Sequence, residues 1–176
     1  MNNGSPTSTG WRIYTDGSKS NNGVGCAYTV YKNSTLIDNK SFSLAPHCSV
    51  LQAETFAILK AAEYILNVGN YMETWSIRIL SDSQSAIKAL SNFQSKKALT
   101  WETRQKIISS PISTTLEWVK AHNEDQYNNE VDLLAKQAST IRPFSFEKVP
   151  HSLTRSEIES SILNKYYANY KRKPKN

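Results

Sequence analysis

Between Trp11 and Leu44 the chain keeps a period of two and reverses direction twice. Trp11, Ile13 and Thr15 fall on one face of an extended segment, and Arg12, Tyr14 and Asp16 on the other. That alternation is the mark of a β-strand running to Asp16, before a Gly-Ser turn. Asn21-Asn22-Gly23 reads as a turn, and Gly25 to Lys32, rich in Tyr and Val, as a second strand. Asn33-Ser34 turns the chain into a third strand, Leu36 to Leu44. Connections this short join neighbours antiparallel, so the chain opens with a three-stranded meander.

The period then changes. Ser49 is placed to cap a helix and Gln52 to close its capping box. Ala, Leu and Ile dominate through Leu66, and Gly69-Asn70 stops the helix. Ser76 to Leu80 is a fourth strand, and Ser83 opens a helix to about Phe93. A polar link, Gln94 to Lys97, leads to a helix near Leu99 to Ile108, which Pro111 breaks. Thr115 to Ala121 is a fifth strand and Asn128 to Ser139 a last helix. The order β-β-β-α-β-α-α-β-α specifies an α/β domain. Its sheet is mixed and five-stranded, three antiparallel strands followed by parallel additions, and flanked by helices. We expect a flexible leader over residues 1–10, the domain over 11–140 and an extension over 141–176. In the extension Pro143 and Pro150 interrupt the pattern, and a helix follows at about Thr154 to Tyr170. Leu153, Ile158, Ile162, Tyr166 and Tyr170 give that helix an apolar face, and Lys171 to Lys175 form a basic tail.

A chain of 176 residues is long enough for one domain with its own core. A net charge of +6 and a pI near 9.3 favour a polyanionic partner, although mild basicity is common among soluble domains. Two cysteines, Cys26 and Cys48, do not make a disulfide framework. They point to a reducing, intracellular compartment, nuclear or cytoplasmic. No apolar run approaches the roughly 20 residues of a membrane span, and no signal peptide is visible. A monomer is expected.

Set against this basic background are four acids in four different elements: Asp16, Glu54, Asp82 and Asp132. The first three have ordinary explanations. Asp16 is a turn aspartate, Glu54 complements a helix dipole and Asp82 caps a helix, while Asp132 begins a turn inside the last helix, beside Leu133, Leu134 and Ala135. Glu54 resists its explanation, because Val50, Ala57, Ile58 and Ala61 surround it at helical spacing. A carboxylate on an apolar face needs a partner, and a metal is one. Asp82 follows the strand Ile77 to Leu80, at the strand-to-helix junction where α/β sheets place ligands. Converging carboxylates are tolerable when hard cations neutralise them, which suits Mg²⁺ or Mn²⁺. His122 precedes a polar stretch, Asn123 to Asn129, that suits a mobile proton carrier.

Together these motifs resemble the ribonuclease H family. They are Thr15-Asp16-Gly17-Ser18, Gln52-Ala53-Glu54, Ser81-Asp82-Ser83-Gln84, and Trp118-Val119-Lys120-Ala121-His122 with Asn128 and Asp132. They occur in the family's order and on its elements. Val50-Leu51-Gln52-Ala53-Glu54 and the Trp118 to His122 run look most like RNase H domains of non-LTR retrotransposons, which are linked to a reverse transcriptase. The resemblance implies an endonuclease that hydrolyses the RNA strand of RNA–DNA hybrids to 5′-phosphate and 3′-hydroxyl ends. Asp16, Glu54, Asp82 and Asp132 would hold two Mg²⁺ ions, with Mn²⁺ able to substitute, and His122 would assist proton transfer or product release. Gly17, Ser18, Gln84 and Asn128 are candidate hybrid contacts beside the metals. Lys96, Lys97, Arg104 and Lys106 are candidate contacts to DNA phosphates, and a solvated helix face accounts for them equally well. The chain departs from the family in two places. Asn129 stands where a glutamate is usual and the glycines of that loop are absent, and Val50 and Leu51 replace polar residues before the catalytic glutamate. The alternatives are a catalytically weak hybrid-binding module supporting a reverse transcriptase, and another nuclease of the same broad fold.

Overall fold

The turn at Asn21-Asn22 closes a hairpin of two 10-residue strands, longer than the 6-residue strands on its far side. In the computed structural model, which describes residues 10–71, 74, 76–120, 126–149, 155–156 and 158–164, β1 (Trp11–Ser20) pairs antiparallel with β2 (Gly23–Lys32). β3 (Thr35–Leu44) continues the meander beside β2. On the other side of β1, β4 (Ser76–Ser81) and then β5 (Ser113–Trp118) add in parallel. The sheet order is β3-β2-β1-β4-β5, the expected mixed arrangement.

One expectation about β1 is corrected. The strand does not end at Asp16 but runs on to Ser20, so Gly17-Ser18 is not a turn. Glycine is needed at 17 for a different reason. A Cβ there would lie 2.7 Å from the Ala53 carbonyl carbon and 2.9 Å from the Glu54 Cα. The residue admits a helix backbone at close range.

That helix is α1 (Val50–Val68). Its capping box forms as the sequence predicts: the Gln52 amide donates to Ser49 Oγ at 3.1 Å and the Ser49 amide donates to Gln52 Oε1 at 3.0 Å. Ile58, Ala61 and Ile65 of α1 pack on Ile13, Val30, Ile77 and Ile79 of the sheet. Each such isoleucine contributes about 1.5–3 kcal/mol by leaving water. α2 (Gln84–Ser91) adds Ala86 and Leu90 to this layer, and α3 (Ala98–Ile108) packs beside α1 and α2. The opposite face of the sheet is covered by α4 (Gln126–Ala138), whose Val131 and Ala135 meet Tyr14, Ala27, Tyr31 and Leu80. β5 stops at Trp118, short of the expected Ala121, while His122 and the residues through 125 lie outside the described residues.

Packing onto the sheet and α1 continues past residue 140. Phe146 is 7% exposed and sits in a core cluster with Phe56, Leu44 and Leu99. Its carbonyl accepts from the Ala45 amide at 2.8 Å, and the Ser145 amide donates to the Ser43 carbonyl at 2.7 Å. Gln52, the capping-box residue, donates through Nε2 to the Lys148 carbonyl at 2.9 Å. Residues 141–149 therefore form a strap over the end of β3 and the start of α1. Beyond it, residues 158–164 are helical with Ile158 and Ile162 exposed. The basic tail and the rest of the expected helix, including Leu153, Tyr166 and Tyr170, lie outside the described residues.

Candidate active site

Parallel pairing of β1 with β4 sets the site. Thr15 is in register with Ser81, so Asp16 on β1 and Asp82, one residue past the end of β4, follow from the same paired position. The junction is pinned by hydrogen bonds. Thr15 Oγ1 donates to the Leu80 carbonyl at 3.1 Å, the Val119 amide donates to the Ser81 carbonyl at 3.0 Å, and Trp118 Nε1 donates to the Asp82 carbonyl at 3.1 Å. Ser83 caps α2 by accepting from the Ala86 amide. Capping by Ser83 leaves the Asp82 carboxylate unneeded for that task.

Glu54 arrives from α1 across Gly17. Asp16, Glu54 and Asp82 each offer a carboxylate oxygen within 4.8 Å of the others. Asp16 and Glu54 are both only 6% exposed. Burial first, then the neighbouring acids, push Asp16 up to about 7 and Glu54 up to about 9. The Gly17 amide opposes both shifts. Glu54 Oε2 is buried and has no hydrogen-bond partner among the described residues. Three carboxylates held this closely, one with an orphaned oxygen, are costly unless a cation fills the gap. Hard oxygen donors of this kind fit Mg²⁺ or Mn²⁺.

Asp132 stands apart from this trio. It lies close enough to raise Asp16 and Glu54 electrostatically, but its Oδ2 is engaged at 2.6 Å by Lys136. Asn128, one helical turn earlier, is buried, and its Oδ1 has no partner among the described residues. The structure thus gathers three of the four sequence-predicted acids tightly and leaves the fourth paired at the margin. His122 lies outside the described residues.

Among the expected hybrid contacts, Gly17 is buried under α1, Ser18 is half-buried, and Gln84 is exposed beside Asp82. Lys96 and Lys97 are exposed ahead of α3, and Lys106 is half-buried. Arg104 is a correction. It is 7% exposed, its Nε donates to the Leu90 carbonyl at 3.0 Å, and its Nη2 donates to the Asn92 carbonyl at 2.8 Å. It also lies over the Phe93 ring. Its fork ties off the C-terminal end of α2, where free carbonyls attract cations, and is not available to a phosphate. Sequence reasoning passed over Lys136, although its i,i+4 spacing from Asp132 signals the pair. It also passed over the Trp118 bond to the Asp82 carbonyl, for which the sequence holds no signal.

The fold and the acids define an α/β protein with a carboxylate cluster at the carboxyl end of a parallel strand pair. Residues 8–140 match the family model for RNase H, and the chain belongs to that family. No curated protein sequence matches it. Solved structures with the same fold include RNase H1 from the halophilic archaeon Halobacterium salinarum NRC-1, at 17% identity and a TM-score of 0.57, covering 73% of this chain and 96% of that one. LC11-RNase H1 in complex with an RNA/DNA hybrid matches at 15% identity and a TM-score of 0.60, with coverage of 73% and 96%. The N-terminal RNase H domain of a Mycobacterium tuberculosis protein, solved as a fusion with maltose binding protein, matches at 18% identity and 0.56, with coverage of 74% and 94%. Among the described residues no helix is long and apolar enough to cross a membrane.

Proposed function

We propose that the chain is an endonuclease that hydrolyses the RNA strand of RNA–DNA hybrids, leaving 5′-phosphate and 3′-hydroxyl ends. The observation that carries this reading is the trio Asp16, Glu54 and Asp82, with ligand oxygens within 4.8 Å and Glu54 Oε2 unpartnered among the described residues. Family membership and the hybrid-bound fold neighbour support the substrate class. Asp16, Glu54 and Asp82 would hold divalent cations together with Asp132. Bound there, two Mg²⁺ ions, or Mn²⁺ in their place, supply charge neutralisation and an acidified water for in-line displacement.

The protein's own groups set the geometry. The Thr15–Ser81 register and the Trp118 bond to the Asp82 carbonyl fix Asp16 and Asp82 against each other. Gly17 lets Glu54 approach from above. Gln84, which is exposed, and Ser18, which is half-buried, would meet the minor groove, where 2′-hydroxyls distinguish RNA from DNA, and Asn128 would contact it only if its buried amide is uncovered. Lys96, Lys97 and Lys106 position the DNA strand through phosphates, and His122 moves a proton at the leaving oxygen. In the cell this chain would serve a reverse transcriptase of a retrotransposon, to which we infer it is fused, acting as a monomer in the nucleus or cytoplasm. The motif versions around Glu54 and Trp118 support that assignment.

The test is a labelled hybrid incubated with Mg²⁺, with wild type beside Asp82→Asn. RNA loss that disappears in the variant is expected; equal loss in both would remove the assignment. Binding without cleavage in either Mg²⁺ or Mn²⁺ would favour the non-catalytic module.

A further inference from the structure

Along β1, Arg12, Tyr14 and Asp16 share one face by strand alternation, and α4 lies over that face. The two ends of α4 are seated differently. At its C-terminal end a Cβ on Gly25 would lie 2.6 Å from the Ser139 amide nitrogen, so the helix rests directly on β2. At its N-terminal end Tyr127 stacks on Tyr14, with centroids 5.6 Å apart, and meets the edge of Tyr31 at 4.6 Å. The guanidinium of Arg12 lies 4.9 Å from the Tyr127 centroid, and its Nη1 donates to the Tyr14 hydroxyl at 3.2 Å. Arg12 is buried, a strong commitment for a cation. On the next residues of α4, Glu130 accepts from the Tyr31 hydroxyl. Asp132 lies between these two seats.

We infer that Tyr127, held by Arg12, Tyr14 and Tyr31, is a positioning residue that sets where Asp132 stands relative to Asp16. The inference rests on Asp132 being the fourth acid of the proposed site. The need for such a clamp is plain from the packing. Asp132 is outside the tight trio and is drawn by Lys136, so only the seating of α4 keeps it within reach of Asp16.

The test uses Tyr127→Phe, which keeps the ring, and Tyr127→Leu, which keeps apolar bulk but loses the stack on Arg12. Cleavage of the hybrid and Mn²⁺ binding by calorimetry without hybrid are measured for each, alone and combined with Asp132→Asn. Tyr127→Phe, which keeps the ring stack, is expected to lose less than Tyr127→Leu. Tyr127→Leu is expected to lower kcat and Mn²⁺ affinity by about 10-fold or more, the usual range for groups that orient ligands, with little change in KM. In the Asp132→Asn background it is expected to have no further effect on Mn²⁺ affinity. Wild-type cleavage and Mn²⁺ binding by Tyr127→Leu, or an equal loss of affinity with and without the Asp132 carboxylate, overturns the inference. If wild type cleaves no hybrid, the reading of function fails, and the Mn²⁺ cycle alone still decides the clamp.

Discussion

A methyl group on Gly17 would lie 2.9 Å from the Cα of Glu54, closer than packed atoms tolerate. The strand residue and the helix residue are therefore set against each other by a missing side chain. Gly17→Ala must push α1 outward or bend β1. Overpacking of this kind costs about 1–3 kcal/mol, and because Glu54 rides on the displaced turn, activity is expected to fall by about 100-fold. Urea denaturation and a hybrid-cleavage assay check the two halves. Normal activity in a folded Gly17→Ala would show that the close approach is unimportant to the site.

The acids impose a pH dependence on the cation-free protein. Asp16 is held at about 7 and Glu54 at about 9, both raised above their unfolded values by burial first and then by neighbouring acids, Asp82 and Asp132 for Asp16, and Asp16, Asp82 and Asp132 for Glu54. A raised carboxylate keeps its proton in the folded state while the unfolded chain loses it. Stability from these groups is thus fully present below about pH 4 and is lost as pH rises through about 7 and then about 9. In EDTA the Tm is expected to fall from pH 5 to pH 9. Added Mg²⁺ is expected to raise Tm more at pH 8 than at pH 5, since binding must displace these protons. Glu54→Gln is expected to abolish cleavage yet raise the Tm in EDTA at pH 8, by about 2–4 °C for each kcal/mol of repulsion and desolvation relieved. A flat profile in EDTA would contradict the arrangement.

How far the site was legible in the sequence depends on where its cause lies. Asp16, Glu54 and Asp82 sit in short motifs whose strand and helix periods can be read locally, and their meeting follows from the order of elements. The length of β1 was not legible, because Gly17-Ser18 has the composition of a turn. Its true cause is the backbone of α1, far along the chain. Arg104 looked like a solvated helix cation, and only the packing of α3 beside α2 buries it. The strap failed to register because the stretch from Pro143 to Pro150 has neither period. Its Phe146 is fixed by Phe56 and by backbone pairing at Ala45, both tertiary facts.

The contrast between buried and exposed cations gives a salt-dependence test. Lys96→Ala and Lys97→Ala remove exposed charges ahead of α3. Each is expected to weaken hybrid binding in Ca²⁺ and to reduce the slope of log K against log salt by about 0.7–0.9. Arg104→Ala removes three donors from the carbonyls of Ala89, Leu90 and Asn92. It is expected to cost about 1.5–3 kcal/mol of stability, the range for hydrogen bonds to a charged group, while leaving that slope unchanged. A lowered slope for Arg104→Ala with unaltered stability would return it to the phosphate contacts.

The strap offers a sharper separation between family likeness and physical domain. The family match ends at residue 140, yet Phe146 closes the cluster over Phe56 and Leu99. Phe146→Ala is expected to cost about 3–5 kcal/mol, the usual range for a buried phenylalanine in a core that cannot collapse. Ending the chain after Thr140 removes this ring, the Ala45 and Ser145 backbone bonds, and the Lys148 carbonyl that Gln52 engages. The truncated chain is therefore expected to be less stable than Phe146→Ala, whereas a chain ending after Val149 is expected to keep most of the full-length Tm. Side-by-side thermal melts of the three forms check this order. Equal stability of the chain ending at Thr140 and the full chain would show that residues 141–149 contribute nothing to the fold.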